Sequence, residues 1–493
     1  TMFGGVQASK LAYDLMLAPE DEQELQQAGG TISDITPSDG VGARFPLPLW
    51  ILAMYLGTIA TFPIGFMVFR GLPDHGYLLA RPLGLLLLAY IPWMLASLKW
   101  ISFGRGSIAL GFLLLVAIST WLTYRYRHEL WGWLKQRWRL LMVQETLFLG
   151  AFLIFTVIRA ANPDLWHPFR GGEKPMDFAY LNAVVRSTYM PPFDPWFAGG
   201  SLNYYYFGQF MMATVIKATG IPTAIAYNLA VPMVFALVVG AAFSLGYNIA
   251  EGARRSVQTV RSIPVWSSLV AGLAATLFMV VFSNLDGGVQ VLQGAVGTFD
   301  FWSPTRMMPP DPPGFEITEF PFFTFLFADL HAHMLAMPLG LLVLGLSLNT
   351  VLLSQSGEKA TWFYVSIGLL ALTIGSLWAT NAWDFPTYLG IGAVALALSQ
   401  YLRSKPLALG ALYRASGLIV IFVILTVFFW LPYHLRLENG FEGIGITVAR
   451  TNLWHYLVIH GLFVFLVFTL LITEVPRTLW QWFRDASESR KWM

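Results

Sequence analysis

A chain of 493 residues that is 56% hydrophobic and only 12% charged is unlike soluble globular proteins, which carry about 25% charged residues. Apolar runs of roughly 20 residues recur along it, which predicts an all-α, polytopic transmembrane helical bundle rather than the alternating pattern of a membrane β-barrel. The absence of cysteine excludes disulfides, thiol catalysis and Cys-ligated metals.

The hydropathy pattern divides the chain into a polar N-terminal segment and a long series of apolar runs. Residues 1–46 are predicted to hold a short acidic helix over 11–27 and a linker rich in Gly, Ser and Pro. A short apolar stretch, 204–219, is predicted to be interfacial or re-entrant. The predicted spans are 47–69, 78–98, 107–123, 140–160, 222–249, 263–284, 336–354, 362–381, 385–402, 408–431 and 454–473.

The distribution of Lys and Arg predicts the orientation, because cytoplasmic loops of membrane proteins are enriched in both. Cations cluster in 124–139, 250–262, 403–407 and the basic tail 476–493. One alternating topology places all four inside if 204–219 does not cross. It leaves 161–221, 285–335, 382–384 and 432–453 on the outer face. We expect N-terminal transmembrane helices over 47–139 and a core over 140–475.

The outer loop 161–221 contains two carboxylates, Glu173 and Asp177, at the predicted start of a short amphipathic helix over 176–187. Two interpretations stay open. The carboxylates can cap the helix, where the dipole favours negative charge. Alternatively, Asp177 is a general base that deprotonates an acceptor hydroxyl, assisted by Glu173. Lys174 between them can pair with a lipid phosphate or remain solvated.

Asp329, His331 and His333 form a second constellation at alternate positions. In an extended segment they can ligate a divalent metal such as Mg or Mn, or a phosphate. On a helix only 329 and 333 share a face. The alternative is a pair of interfacial histidines bonded to backbone carbonyls. Charged groups cost about 2.5–3.5 kcal/mol at the bilayer centre, so we expect the segment at the outer mouth of the bundle, within reach of Asp177.

Four further polar or aromatic residues are candidates for substrate binding beside Lys174. They are Tyr205 in the run Tyr204–Gly208, Arg306 in a proline-rich loop over 300–321, and Trp383 and Asp384 in a short outer turn. Each has a simpler interpretation. Aromatic residues anchor helices at the membrane interface, Asp384 can cap the following helix, and an exposed arginine need bind nothing specific.

Several strings together resemble an uncharacterised membrane family, DUF2298, also labelled by a Tyr-Tyr-Tyr motif and grouped with the GT-C glycosyltransferases. The strings are Glu173–Ala179, Tyr204–Gly208, Glu319–Phe323 with Asp329–His333, and Trp378–Pro386. The resemblance covers roughly residues 47–475.

The GT-C resemblance implies a particular reaction and location. It implies inverting sugar transfer from a polyprenyl-phosphate donor at the outer face of a prokaryotic plasma membrane. It also implies an essential carboxylate in the first large outer loop, the place that Glu173 and Asp177 occupy here. One departure is that three predicted spans precede the span that leads into this loop, whereas many GT-C enzymes have the loop after their first helix.

Two other classes of function compete with a glycosyltransferase. A transporter requires paired charges in mid-membrane and interrupted helices, and few charges fall inside the predicted spans. A structural subunit of a larger membrane complex fits the richness in Trp and Phe. We expect membrane lipids and the lipid-linked sugar as partners, with other membrane subunits as an alternative, and no nucleic acid.

Overall fold

The computed structural model describes residues 29–167, 172–197, 200–257, 264, 266–282, 284–308, 317–403, 409–437 and 450–490. The acidic helix predicted over 11–27 lies outside these ranges. Within them the chain is helical, and its only β-pairing is a single bridge between Phe193 and Ser201. The prediction of an all-α, polytopic helical membrane protein is confirmed.

The helices are numbered in chain order. They are α1 Ile32–Ile35, α2 Val41–Arg44, α3 Pro46–Val68, α4 Ala80–Ser97, α5 Arg105–Ala161, α6 Lys174–Arg186, α7 Phe207–Thr219, α8 Thr223–Val257, α9 Trp266–Val280, α10 Asp286–Leu292, α11 Pro321–Phe327, α12 Ala332–Leu353, α13 Ala360–Thr380, α14 Phe385–Arg403, α15 Leu409–Phe428, α16 Leu431–His434 and α17 Leu453–Arg490.

Nine helices of the described ranges are long and apolar enough to cross a membrane: α3, α4, α5, α8, α12, α13, α14, α15 and α17. The predicted span 263–284 forms the shorter α9, which has 15 residues. The predicted stretch 204–219 forms α7, whose 13 residues rise only about 20 Å. That length is below the roughly 30 Å of a bilayer core, which agrees with a segment that does not cross.

The predicted spans 107–123 and 140–160 both belong to α5, whose 57 residues form two helical halves that meet at a kink. The prediction of a loop over 124–139 is wrong, because these residues continue the helix except at Tyr126, where φ is −117° and ψ is 21°. The segment contains no proline and only one glycine, so its Arg, Leu, Trp and Lys residues can all be helical.

Hydrogen bonds to α3 show that α5 reverses direction at this kink. Ser119 donates to the carbonyl of Ala60, and Tyr55 donates to Glu145 over 2.8 Å. The two α3 positions lie about 7.5 Å apart along their helix, whereas a straight helix would separate Ser119 from Glu145 by about 39 Å. The two halves of α5 therefore run along α3 in opposite directions and supply both predicted spans.

The chain divides into two compact units. Unit 1 contains residues 1–276 and 328–439, and unit 2 contains residues 277–327 and 440–493. The domain boundaries predicted at 46, 139 and 475 remain predictions.

Aromatic packing joins three helices inside unit 1. Trp93 of α4, Phe207 of α7 and Trp430 after α15 are fully buried, and Trp430 lies 4.5 Å from each of the other two rings, centroid to centroid. Gly375 of α13 makes room for Trp430. A Cβ at position 375 would lie 2.2 Å from Cδ1 of Trp430 and 2.6 Å from the carbonyl oxygen of Thr426.

This packing predicts opposite effects for two glycines of α13. Gly375→Ala should lower the free energy of unfolding by about 1–3 kcal/mol, because the added methyl group overpacks the contact with Trp430. Gly368 has open space around it, so Gly368→Ala should be neutral or stabilising by up to about 1 kcal/mol. Thermal unfolding of both variants in detergent compares them, and equal effects would contradict the packing argument.

Candidate functional site

The first turn of α6 carries the carboxylates that the sequence singled out. Glu173 occupies the N-cap position, Pro175 lies in the first turn, and Asp177 follows within that turn. Glu173 makes no side-chain capping hydrogen bond, and the side chain of Asp177 turns to another segment. Neither carboxylate thus makes a capping hydrogen bond, although Asp177 lies in the first turn, where the helix dipole favours negative charge.

That other segment, residues 328–331, is non-helical and precedes α12. Ala328 is fully buried and has φ +64°, a left-handed conformation that costs a non-glycine residue about 1–2 kcal/mol. The hydroxyl of Tyr227 accepts the N–H of Leu330 at 2.7 Å, and the side-chain amide of Gln209 donates to the carbonyl of Leu330 at 2.6 Å. Two buried side chains thus hold the strained backbone in place.

His331 and Asp177 meet where these segments touch. His331 Nδ1 lies 2.9 Å from Asp177 Oδ1, and its Nε2 lies 3.1 Å from a carboxylate oxygen of Glu173 and 3.4 Å from the hydroxyl of Tyr204. Asp329 accepts the backbone N–H of Glu173 at 3.0 Å. The predicted closeness of Asp177 to the 329–333 segment is confirmed.

The side chains of this cluster differ strongly in their exposure to solvent. The side chain of Asp177 is 2% exposed, that of His331 is 14% exposed, and that of Glu173 is 57% exposed. Glu173 therefore marks the open side of the site. Asp177 Oδ2 is buried and has no hydrogen-bond partner among the described residues, so this oxygen is free to accept a proton.

Burial and charge shift the pKa of both partners. Burial raises the pKa of Asp177, although the hydrogen bond and the charge of His331 partly oppose the rise. Burial alone would lower the pKa of His331, but its bond to Asp177 and the charges of Asp177 and Glu173 raise it above the usual range. At neutral pH the imidazole is therefore more protonated than an ordinary histidine.

Two buried cations lie beside the pair. Lys174 Nζ is 3.9 Å from a carboxylate oxygen of Asp164, and burial lowers the pKa of Lys174 while Asp164 and Asp329 oppose that shift. Arg159, at the end of α5, donates to the side-chain oxygen of Asn228 at 2.6 Å and to the carbonyl of Asp164 at 3.3 Å. The site thus combines anionic and cationic groups in a mostly buried setting.

The structure brings some of the remaining predicted residues to this site. Tyr205 stacks obliquely on Tyr204, with ring centroids 4.6 Å apart. Asp384 accepts a hydrogen bond from Asn381 at 3.0 Å. Burial raises the pKa of Asp384, and the charge of His333 opposes that shift, which places Asp384 near His333.

The other two residues predicted to bind substrate, Trp383 and Arg306, remain predictions. Trp383 is 79% exposed. Arg306 belongs to unit 2, where it lies over the ring of Trp302 at 4.7 Å and 3.9 Å from Glu319.

The three predicted metal ligands do not converge. Asp329 binds a backbone N–H, both nitrogens of His331 face carboxylates, and the ring of His333 lies 5.5 Å from that of His331, centroid to centroid. In the part of the chain that the structure describes, no group of three or more His, Asp or Glu side chains is arranged to hold a metal ion. The prediction of a Mg or Mn site finds no support in this arrangement.

Sequence reasoning missed Tyr227, Gln209 and Arg159 at this site. All three are buried in helices α8, α7 and α5. The available signal was their polarity inside apolar runs, since a polar group at membrane depth is costly unless it has a partner.

The comparisons agree with this picture of a membrane bundle. A family model described as an uncharacterized membrane protein, DUF2298, matches residues 87–493, a range that includes every predicted site residue. No curated protein and no solved structure matches the chain. Because the match covers well over half of the sequence, the chain belongs to the DUF2298 family of uncharacterized membrane proteins.

Proposed function

We propose that this integral membrane protein is a glycosyltransferase of the GT-C type, which transfers a sugar from a polyprenyl-phosphate donor to an acceptor at the outer face of a prokaryotic plasma membrane. One observation carries the proposal. Asp177 is buried, is held through Oδ1 by His331, and keeps Oδ2 unbonded among the described residues.

A second buried carboxylate of the same unit shows what a purely structural one looks like. Asp74 is fully buried, and its two oxygens accept hydrogen bonds from Asn248, Ser244, Gln144 and the N–H of Gly76 at 2.7–3.0 Å. Buried carboxylates need such partners, because an unsatisfied charged group is costly. In contrast to Asp74, Asp177 keeps one oxygen unbonded among the described residues, and the proposal assigns this oxygen the role of proton acceptor.

In the proposed reaction, the acceptor hydroxyl gives its proton to Asp177 Oδ2 while its oxygen bonds to the anomeric carbon of the sugar. The bond from that carbon to the phosphate oxygen breaks, and its electron pair leaves with the polyprenyl phosphate. Attack opposite the phosphate inverts the configuration. The raised pKa of Asp177 suits this role, because a general base works best when its pKa approaches the working pH.

His331 has a different role in this proposal. Its raised pKa favours the imidazolium form, so Nδ1–H donates to Asp177 and Nε2–H points to Glu173 on the open side. A donor phosphate that displaces the Glu173 carboxylate would be held there by His331, with Lys174 as the second cation. Charge-assisted contacts of this kind stabilise a leaving phosphate.

The first test is Asp177→Asn in reconstituted liposomes with polyprenyl-phosphate sugars. The oxygen of the asparagine amide can still accept the hydrogen bond from His331, but the amide cannot act as a base. The transfer rate should therefore fall about 10²–10⁴-fold. Asp194→Asn removes the same charge from the same loop, at a partly exposed residue whose carboxylate accepts the N–H of Trp196, and should transfer at the parental rate.

Two results would count against this assignment. A parental transfer rate in Asp177→Asn would show that the base lies elsewhere. A folded parental protein without transfer from any polyprenyl-phosphate sugar would favour a structural subunit or a transporter.

The second test is the pH dependence of transfer. The base must be ionised, so the rate should fall as pH drops through the raised pKa of Asp177, and this acid limb should lie above the usual value of 3.8. His331 lowers the pKa of Asp177 through its hydrogen bond and charge. His331→Gln should therefore move the acid limb to higher pH, whereas a loss of rate with an unmoved limb would refute the coupling.

A further inference from the structure

The second half of α5 begins, directly after the kink at Tyr126, with a segment rich in cations and tryptophans. Residues 140–161 alone rise about 33 Å, which is enough to cross the roughly 30 Å hydrocarbon core. Residues 127–139 are therefore not needed to cross the core, and they lie at the end of the bundle where the two halves of α5 meet. This stretch is called the 127–139 segment.

The one carboxylate of this segment, Glu129, is already paired. Arg70 lies 2.7 Å from an oxygen of Glu129 and 3.0 Å from an oxygen of Glu358. Among the described residues, no carboxylate lies within ion-pair distance of the other cations in and beside the segment. These five cations are Arg125, Arg127, Lys135, Arg137 and Arg139. The segment thus carries a local excess of positive charge.

The helix sorts its residues onto two faces. Leu130 is buried against Phe66 and Met67 at the end of α3. Arg127, Trp131, Lys135, Trp138 and Arg139 are exposed, and their spacing of three or four residues places them along one side of the helix. Trp131 is 58% exposed and Trp138 is 56% exposed, so cations and indole rings share one surface, here called the basic–aromatic face.

We infer that the basic–aromatic face binds the headgroups of anionic phospholipids. Indole rings settle at the headgroup level of a bilayer, and Lys and Arg beside them attract anionic lipid phosphates. An acidic soluble protein could bind the same cations. Such a partner would not explain, however, why two tryptophans are exposed at the end of a membrane-spanning helix. The complementary ligand is thus a phospholipid such as phosphatidylglycerol, with its phosphate at the cations and its chains beside the indoles.

The test is lipid selectivity of the purified full chain. Native mass spectrometry measures the ratio of bound phosphatidylglycerol to phosphatidylcholine from equimolar mixtures in detergent. The parental chain should prefer phosphatidylglycerol, and the preference should weaken at high salt, because salt screens exposed charges. In the triple variant Arg127→Gln/Lys135→Gln/Arg139→Gln the preference for phosphatidylglycerol should fall at least tenfold. The reason is that one cation near the membrane surface strengthens the binding of an anionic lipid about fivefold.

Two control variants keep the result interpretable. Arg44→Gln/Lys99→Gln/Arg186→Gln removes the same charge from three exposed cations elsewhere and should retain the preference. Arg127→Lys/Arg139→Lys keeps the charge of the face and should retain it as well, even if the glutamine triple unfolds. The inference would be overturned by an unchanged lipid preference in a folded glutamine triple variant or by equal losses of preference in both triple variants. Stronger binding of polyglutamate than of phosphatidylglycerol would also overturn it.

Discussion

The hydrogen bond between Asp177 and His331 is the contact on which the candidate site depends. It joins the first turn of α6 to a non-helical segment 154 residues further along the chain. In that segment Ala328 has a left-handed conformation, and Tyr227 and Gln209 satisfy the backbone of the neighbouring Leu330. The strained residue therefore lies three positions before the imidazole that contacts the buried carboxylate.

The membrane setting explains why so many neutral side chains surround this pair. Water cannot reach a buried N–H or carbonyl between packed helices, so each group outside a helical ladder needs a side-chain partner. Asn228 plays this part for Arg159, as Gln209 does for Leu330. Replacing such residues with apolar ones of similar size would raise the hydropathy of the helices and yet leave buried polar groups without partners.

The sequence predicts the fold class and the spans well, because length and hydropathy are local properties. It also brings Asp177 and His331 together correctly, since both adjoin spans predicted to end on one face. It fails where a long-range contact or the continuity of a helix decides the outcome. The cluster of cations in 124–139 predicts a loop, but these residues are helical except at Tyr126. The support from Tyr227 could not be seen, because the hydroxyl that holds Leu330 comes from another helix.

The reversal within α5 has a consequence for mapping the topology of this protein. Reporter domains and protease sites are usually introduced into extended loops between spans. Here two oppositely directed spans meet at a single non-helical residue, Tyr126, whose ring packs near Trp362 of α13. A tag inserted at this point would separate packed helices instead of lengthening a loop. The arginines at which trypsin could cleave lie in intact helix. Resistance to cleavage between the two spans would therefore say little about which side of the membrane they face.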